Sequence, residues 1–426
     1  MLRVNCLPQT PDRLQHPMVS SRTAQTRSIT VPRGFRAAGV ACGIKPSGNP
    51  DLALIVSDSP CTAAGVFTTN RCLGAPVIVT RRHLRRGTAR AIVCNSGIAN
   101  DATGQQGVDD ALAMAAQVAS AIDCPVSQVL PASTGIIGQL LPMGKLHRGI
   151  ATLLPRLRRG SAADGQAARA ILTTDLVPKA VLRRLRVGRR AAAIAGVGKG
   201  SGMIAPNLAT MLVFITTDIA IERRALSAAL RHAVSKSFNR ISVDQHTSPS
   251  DMVLILANGA AGNSVIKGKG KSYSLFTESL SELCRDLAYQ IVADGEGATK
   301  VFRVQVTGAQ SQRDADRVGK AIVNSPLVKA AIHGGDPNWG RITTAAGYSG
   351  AAVRPEKMSL SIGSVSVFAK DRPVVHDARV SRKLRAHMRR REIVITMDLA
   401  MGKASTEWLG CDLSREYVAI NADYTT

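Results

Sequence analysis

The stretch Lys199 to Asp218, KGSGMIAPNLATMLVFITTD, decides how the rest of the chain is read. Its first half is small and flexible, with Gly200 and Gly202, and its second half, Met211 to Ile215, is a continuous apolar run of buried-strand type. Thr210, preceded by Ala209, stands at the junction. A hydroxyl residue opening a buried strand from a glycine-rich turn can face back across its own peptide bond. That placement suits an N-to-O acyl shift, in which the Thr210 hydroxyl attacks the Ala209 carbonyl and water resolves the ester. Thr210 would emerge with a free α-amine, which at its ordinary pKa of about 7.7–8.0 serves as a general base near neutral pH. A lone threonine hydroxyl is a weak nucleophile without such a base.

The competing readings are weaker. A threonine at the head of an apolar strand is commonly structural, because threonine fits strands. The glycines do not form a phosphate cradle: a P-loop ending at Lys199 needs glycine where Ala193 stands and Ser or Thr where Gly200 stands. A dinucleotide fingerprint starting at Gly196 needs glycine at Ser201.

At 426 residues the chain is long enough for two domains, since single cores stop growing near ~250–300 residues. Aromatic residues make up only 3%, so the core must be packed with Ala, Val, Ile and Leu. The cysteines Cys6, Cys42, Cys61, Cys72, Cys94, Cys124, Cys284 and Cys411 are scattered without a Cys-x-x-Cys pair, and no HExxH or Cys/His cluster accompanies them. A reduced chain without structural metal is expected, and no apolar run reaches the ~18 residues of a membrane span. The net charge of +25 argues for nucleic acid. Yet the arginine clusters at 81–86, 156–159, 183–190 and 382–391 are dispersed and have no interleaved aromatics for base stacking. Specific nucleic-acid binding is therefore not expected.

Further blocks accompany the opening stretch in order: VPRGFRAAGVACGIK (Val31 to Lys45), ASTG (Ala132 to Gly135), ILTTD (Ile171 to Asp175), ADGEGATK (Ala293 to Lys300), GGDPNWGRI (Gly334 to Ile342) and INADYTT (Ile420 to Thr426). Together they resemble the ornithine acetyltransferase family, the bifunctional glutamate N-acetyltransferases of arginine biosynthesis. The resemblance implies an α+β fold, an αββα sandwich of mixed sheets between helix layers, of the self-cleaving N-terminal-nucleophile type, with a smaller carboxy-terminal lobe. It implies an extension over 1–30, an α chain over 31–209 and a β chain over 210–426, assembled as α2β2.

By the same resemblance, Ala209 and Thr210 flank the cleaved bond, Thr210 is the nucleophile, and Thr134 and Gly135 stabilise the oxyanion. Thr173 (or its neighbour Thr174), Lys199, Thr210, Glu296, Asn421 and Thr426 bind substrate. The substrates would be N2-acetyl-L-ornithine and L-glutamate, with no bound cofactor or metal and with acetyl-CoA as a candidate co-substrate. A cytoplasmic location is expected, with an organelle as the alternative if residues 1–30 are a transit peptide. A related self-processing aminopeptidase or amidohydrolase is the alternative function. The chain departs from the family at NSGIANDATG (Asn95 to Gly104), where members usually read NSGNANACTG, and at Gln245-His246, where Gly-Asp is common. His246 in its polar loop is not taken as a catalytic base.

The remaining patterns suggest elements. DLALIVSD, AAGVFTT, APVIVT and ARAIVCNSG read as short strands, and Gly107 to Ile122, Ile221 to Phe238 and the Phe276 to Ile291 stripe read as amphipathic helices. RRLRVGRR reads as a hairpin or insertion, Asp336-Pro337-Asn338 as a turn, and Trp339 as core.

Overall fold

The computed structural model describes residues 28–205 and 211–423. The chain enters through Ser28, Ile29 and Thr30, which are buried, with the Ser28 and Thr30 amides donating to the Asp164 carboxylate. Strand β1 (Phe35–Val40) pairs with the first part of β2 (Leu52–Phe67). The 16-residue β2 absorbs two of the expected strands, DLALIVSD and AAGVFTT.

APVIVT is not a strand but helix α1 (Ala75–His83). Pro76 in the first turn, where a missing amide costs nothing, follows Gly74 at the cap, and packing of Val77 and Val79 overrides the β-branched preference. Then come β3 (Thr88–Ile98), α2 (Gly104–Ala121), β4 (Val129–Ile136), α3 (Met143–Leu153) and α4 (Ser161–Ala170). RRLRVGRR is a hairpin joining β5 (Lys179–Val187) to β6 (Arg190–Lys199), with Gly188 left-handed at φ 61 in its turn.

The apolar run beginning at Met211 forms β7 (Leu212–Thr217), followed by α5 (Arg223–Ser235), the short β8 (Ile241–Ser242), β9 (Met252–Ala257) and the long α6 (Lys271–Ala293). The first sheet runs β4-β3-β2-β9-β7-β6-β5, with β1 also on β2, and it is mixed: β3–β4 and β7–β9 are parallel pairs. One edge of β2 is shared, β1 taking Leu52 to Ser57 and β9 taking Thr62 to Phe67. The sheet therefore folds on itself about β2.

Alternation along the strands sorts the side chains. Ile55, Ile92 and Leu130 from one half meet Phe214, Leu254 and Val197 from the other in an inner core. The outward residues Leu54, Val93 and Val129 lie against α2 and α3, and Val213, Ile215 and Val253 lie against α5 and α6. These are the four layers expected of the αββα sandwich.

The second lobe begins at β10 (Val301–Ala309) and continues through α7 (Gln312–Asn324), α8 (Pro326–Gly334) and α9 (Trp339–Gly347). Strands β11 (Ser359–Ile362), β12 (Val365–Ala369) and β13 (Arg372–Pro373), helix α10 (Ala378–Met388), strands β14 (Glu392–Asp398) and β15 (Ala404–Cys411), and helix α11 (Arg415–Asp423) complete it. Its sheet runs β13-β12-β11-β14-β10-β15-β8. Side-chain caps from Ser311, Ser325, Asn338 and Asp377 start α7 to α10. Trp339 packs on this core, stacked on Phe368 with ring centroids 5.5 Å apart. Val301, Leu409 and Cys411 reach into the core under α6, so the lobes share apolar contacts.

Candidate active site

Ala132 to Gly135 lie in the second half of β4, beside Cys94 to Gly97 of the parallel β3. The pairing becomes irregular at Gly97, whose φ is 106, and Gly135 has φ 131. A Cβ on Gly135 would fall 2.2 Å from the Gly97 carbonyl carbon, so two bare backbones meet here. Ser133 Oγ donates to Asn95 Oδ1 at 2.6 Å, and Asn95 Nδ2 donates to the Ile98 carbonyl at 2.8 Å, which fixes the strand ends.

Into this corner projects Lys199, the last residue of β6, with its ammonium 3.2 Å from Thr134 Oγ1. Both side chains are buried, at 2% and 4% exposure. Burial pushes the Lys199 pKa down, against the pull of Asp175. A bound carboxylate would add a counter-charge in direct contact.

Asp175 organises the next shell. Its carboxylate accepts from the Gly200 amide at 2.7 Å and the Thr173 amide at 3.1 Å, and it pairs with the Lys179 ammonium. Burial pushes the Asp175 carboxyl up, but Lys199, Lys179 and these hydrogen bonds overcome it and hold it at about 2. Lys179 is fully buried and also pairs with Asp294, whose second task is to accept the Leu176 amide at 3.0 Å. One lysine thus ties the ILTTD loop, the head of β5 and the ADGEG turn together.

Glu296 stands on that turn. Its amide donates to the Ser201 carbonyl at 3.0 Å, and its carboxyl lies against Gly202, where an added Cβ would approach to 2.4 Å. Asn421 Nδ2 of α11 donates to Glu296 Oε2 at 2.9 Å. Nearby, Asp244 accepts from the Met203 and Ile204 amides at 2.6 and 2.9 Å, and the Tyr417 hydroxyl of α11 hydrogen-bonds it too. Just before β7, the Met211 amide donates to the buried Asp251 at 2.7 Å.

Of the expected site residues, Thr134, Gly135, Lys199, Thr173, Glu296 and Asn421 therefore converge on one region. Ala209, Thr210 and Thr426 lie outside the described residues. His246 is exposed, its Nδ1 3.2 Å from the Asp244 carbonyl. Sequence reasoning missed Asp175, Lys179, Asp244 and Asp251. The only local signal of the three aspartates was an acidic residue at the mouth of an apolar strand or turn, and Lys179 gave none. The departures at 98–102 also resolve: Ala102 is exposed, whereas Asp101, where the family usually has alanine, turns inward and accepts from Ser250 Oγ at 2.6 Å. No group of residues suited to a metal occurs among the described residues, and no described helix is long and apolar enough to cross a membrane.

Residues 36–426 match the model of the ArgJ family. The chain belongs to the ArgJ family. The arginine biosynthesis bifunctional protein ArgJ of Symbiobacterium thermophilum is 44% identical over 400 residues, 93% of this chain and 98% of that protein. ArgJ of Bacillus subtilis is 42% identical over 402 residues, 94% of this chain and 97% of that protein. The crystal structure of ArgJ from Bacillus halodurans, 40% identical, covers 50% of this chain and 98% of its own, with a TM-score of 0.48. Ornithine acetyltransferase from Mycobacterium tuberculosis, solved in complex with ornithine, is also 40% identical and covers 44% of this chain and 98% of its own, with a TM-score of 0.39.

Proposed function

We infer that this ArgJ chain is a self-cleaving acetyltransferase of arginine biosynthesis that moves the acetyl group from N2-acetyl-L-ornithine to L-glutamate. Membership of a family whose curated relatives are called bifunctional supports the activity, and supports acetyl-CoA as a second donor. The observation that carries the residue roles is the buried Lys199 ammonium 3.2 Å from Thr134, beside the Gly97/Gly135 corner, with Glu296 on the neighbouring turn.

Cleavage between Ala209 and Thr210 frees the Thr210 amine and yields fragments 1–209 and 210–426. In the first half-reaction Thr210 Oγ attacks the acetyl carbonyl while its proton passes to the α-amine. The Thr134 and Gly135 region holds the negative oxygen, a contribution of about 10²–10³ in rate per oriented donor. The C–N bond breaks, the α-ammonium returns the proton to the departing ornithine amine, and the acetyl ester on Thr210 remains. The glutamate amine then attacks that ester by the reverse path, restoring the Thr210 hydroxyl. Lys199 holds the substrate carboxylate, Glu296 faces the ornithine side-chain ammonium, and Thr173, Asn421 and Thr426 close the pocket. The scheme runs on side chains and one amine, without metal or bound cofactor, in a cytoplasmic assembly of two copies of each fragment.

Denaturing electrophoresis tests the first step: two bands for the wild type and one uncut, inactive chain for Thr210→Ala. Two bands from that variant would remove Thr210 from the cleavage. Acetyl transfer from acetylornithine to glutamate separates this reading from a self-processing aminopeptidase, which would need no acceptor.

A further inference from the structure

The two substrates of the reaction proposed above differ most at the far end of the side chain. Ornithine ends in an ammonium and glutamate in a carboxylate, and one site must take each in turn. Glu296 suits the first and repels the second, so the acceptor requires a cation that is not already committed. Lys179 is held between Asp175 and Asp294, and Lys199 sits at Thr134. Lys45 remains.

The loop carrying Lys45 is built with unusual care for a surface connection. The fully buried Asp51 carboxylate accepts the amides of Cys42, Ile44 and Lys45 at 2.7, 2.7 and 3.0 Å, and Lys145 Nζ donates to the Gly43 carbonyl at 2.6 Å. The Lys45 stem lies over Gly97, where an added Cβ would come within 3.3 Å of its Cγ. Gly97 in turn abuts Gly135. The half-buried ammonium donates to the Pro50 carbonyl at 2.8 Å, which uses one of its three hydrogens among the described residues. Burial pushes its pKa down, ahead of the opposing charge of Asp51, whose oxygens are taken up by the loop amides, and the smaller effects of Lys199 and Asp175. Lys45 therefore stands on the β3/β4 flank of Lys199, whereas Glu296 stands on the side of Ser201 and Gly202.

We propose that Lys45 receives the side-chain carboxylate of the glutamate acceptor, so that cationic and anionic side chains are read at opposite flanks of the site. The inference rests on the acetyl-transfer reading. Its test is the ratio of kcat/KM for glutamate to that for glutamine, its uncharged analogue, with acetylornithine as donor. The wild type is expected to favour glutamate. Lys45→Met is expected to reduce that preference by roughly tenfold or more, mainly through KM for glutamate, while Lys45→Arg keeps most of it. Lys45→Gln retains a donor for Pro50, so it gives the same readout if the methionine variant folds poorly. A ratio unchanged in both neutral variants, even with lower activity on each acceptor, would reduce Lys45 to scaffolding and overturn the assignment. A wild type that acetylates neither acceptor would instead overturn the acetyl-transfer reading, and this inference with it.

Discussion

Position 135 permits no side chain. Its φ of 131 and the 2.2 Å approach of a would-be Cβ to Gly97 mean that Gly135→Ala must displace the β3/β4 corner. Acetyl-transfer kcat is expected to drop by roughly 10² or more. Gln245 shows the reverse case, since it adopts φ 71 where the family often has glycine. A left-handed non-glycine residue costs about 1–2 kcal/mol, and glycine's extra chain freedom returns about 0.5–1 of that. Gln245→Gly also loses the bond from Gln245 Nε2 to the Asn324 carbonyl, so the stability measured in urea is expected to change by less than about 1 kcal/mol. Asp101 carries a pH signature: burial lifts its carboxyl from 3.8 to about 6 despite the bond from Ser250, and its Oδ1 has no partner among the described residues. Because the folded protein keeps this proton to a higher pH than the unfolded chain, stability falls as pH rises between those values. The penalty, about 3 kcal/mol by linkage, is complete above the folded pKa. Urea midpoints of wild type and Asp101→Asn should run in parallel in strong acid and diverge toward neutrality in favour of the variant. Parallel curves throughout would contradict the buried titration. Thr134, Lys199 and Glu296 were legible because motif blocks carry them, whereas Asp175 and Asp251 act through backbone amides that no spacing reveals.

Among elements, β6 and β7 matter most. They are antiparallel neighbours from Ile194 to Lys199 and from Leu212 to Thr217, so the proposed cut falls between two hydrogen-bonded strands in the middle of a sheet. The fragments are expected to elute as one species in native size exclusion and to part only in denaturant. Lys179, at the head of β5, holds two carboxylates in a fully buried ion cluster. Lys179→Met would leave them unpaired at a cost of about 3–5 kcal/mol, read as a lowered Tm. Helices α2, α5 and α6 were legible from their apolar stripes, and the β5–β6 hairpin from its glycine. Helix α1 was not, because Ala-Pro-Val-Ile-Val-Thr has strand composition and only its packing makes it helical.

On the scale of the whole molecule, the αββα layers came from resemblance and were found, but their cause was hidden. Nothing local shows that β2 spans both halves, because its pairing with β9 joins residues 62–67 to 252–257. The smaller lobe was likewise not seen to lend Leu409 and Cys411 to the core beneath α6. Residues 1–209 expressed without the remainder are expected to be insoluble, since β2 and β6 would expose the edges that β9 and β7 cover. Recovery of that piece as a soluble monomer would contradict the shared-sheet account. The long strand at the fold line also sets an order of events during synthesis. A ribosome must deliver the chain through Ala257 before the first sheet can close, and contacts so distant along the chain form slowly. The nascent polypeptide therefore waits with its inner surfaces open, and the maturation proposed at residue 210 is expected to begin only when that wait is over.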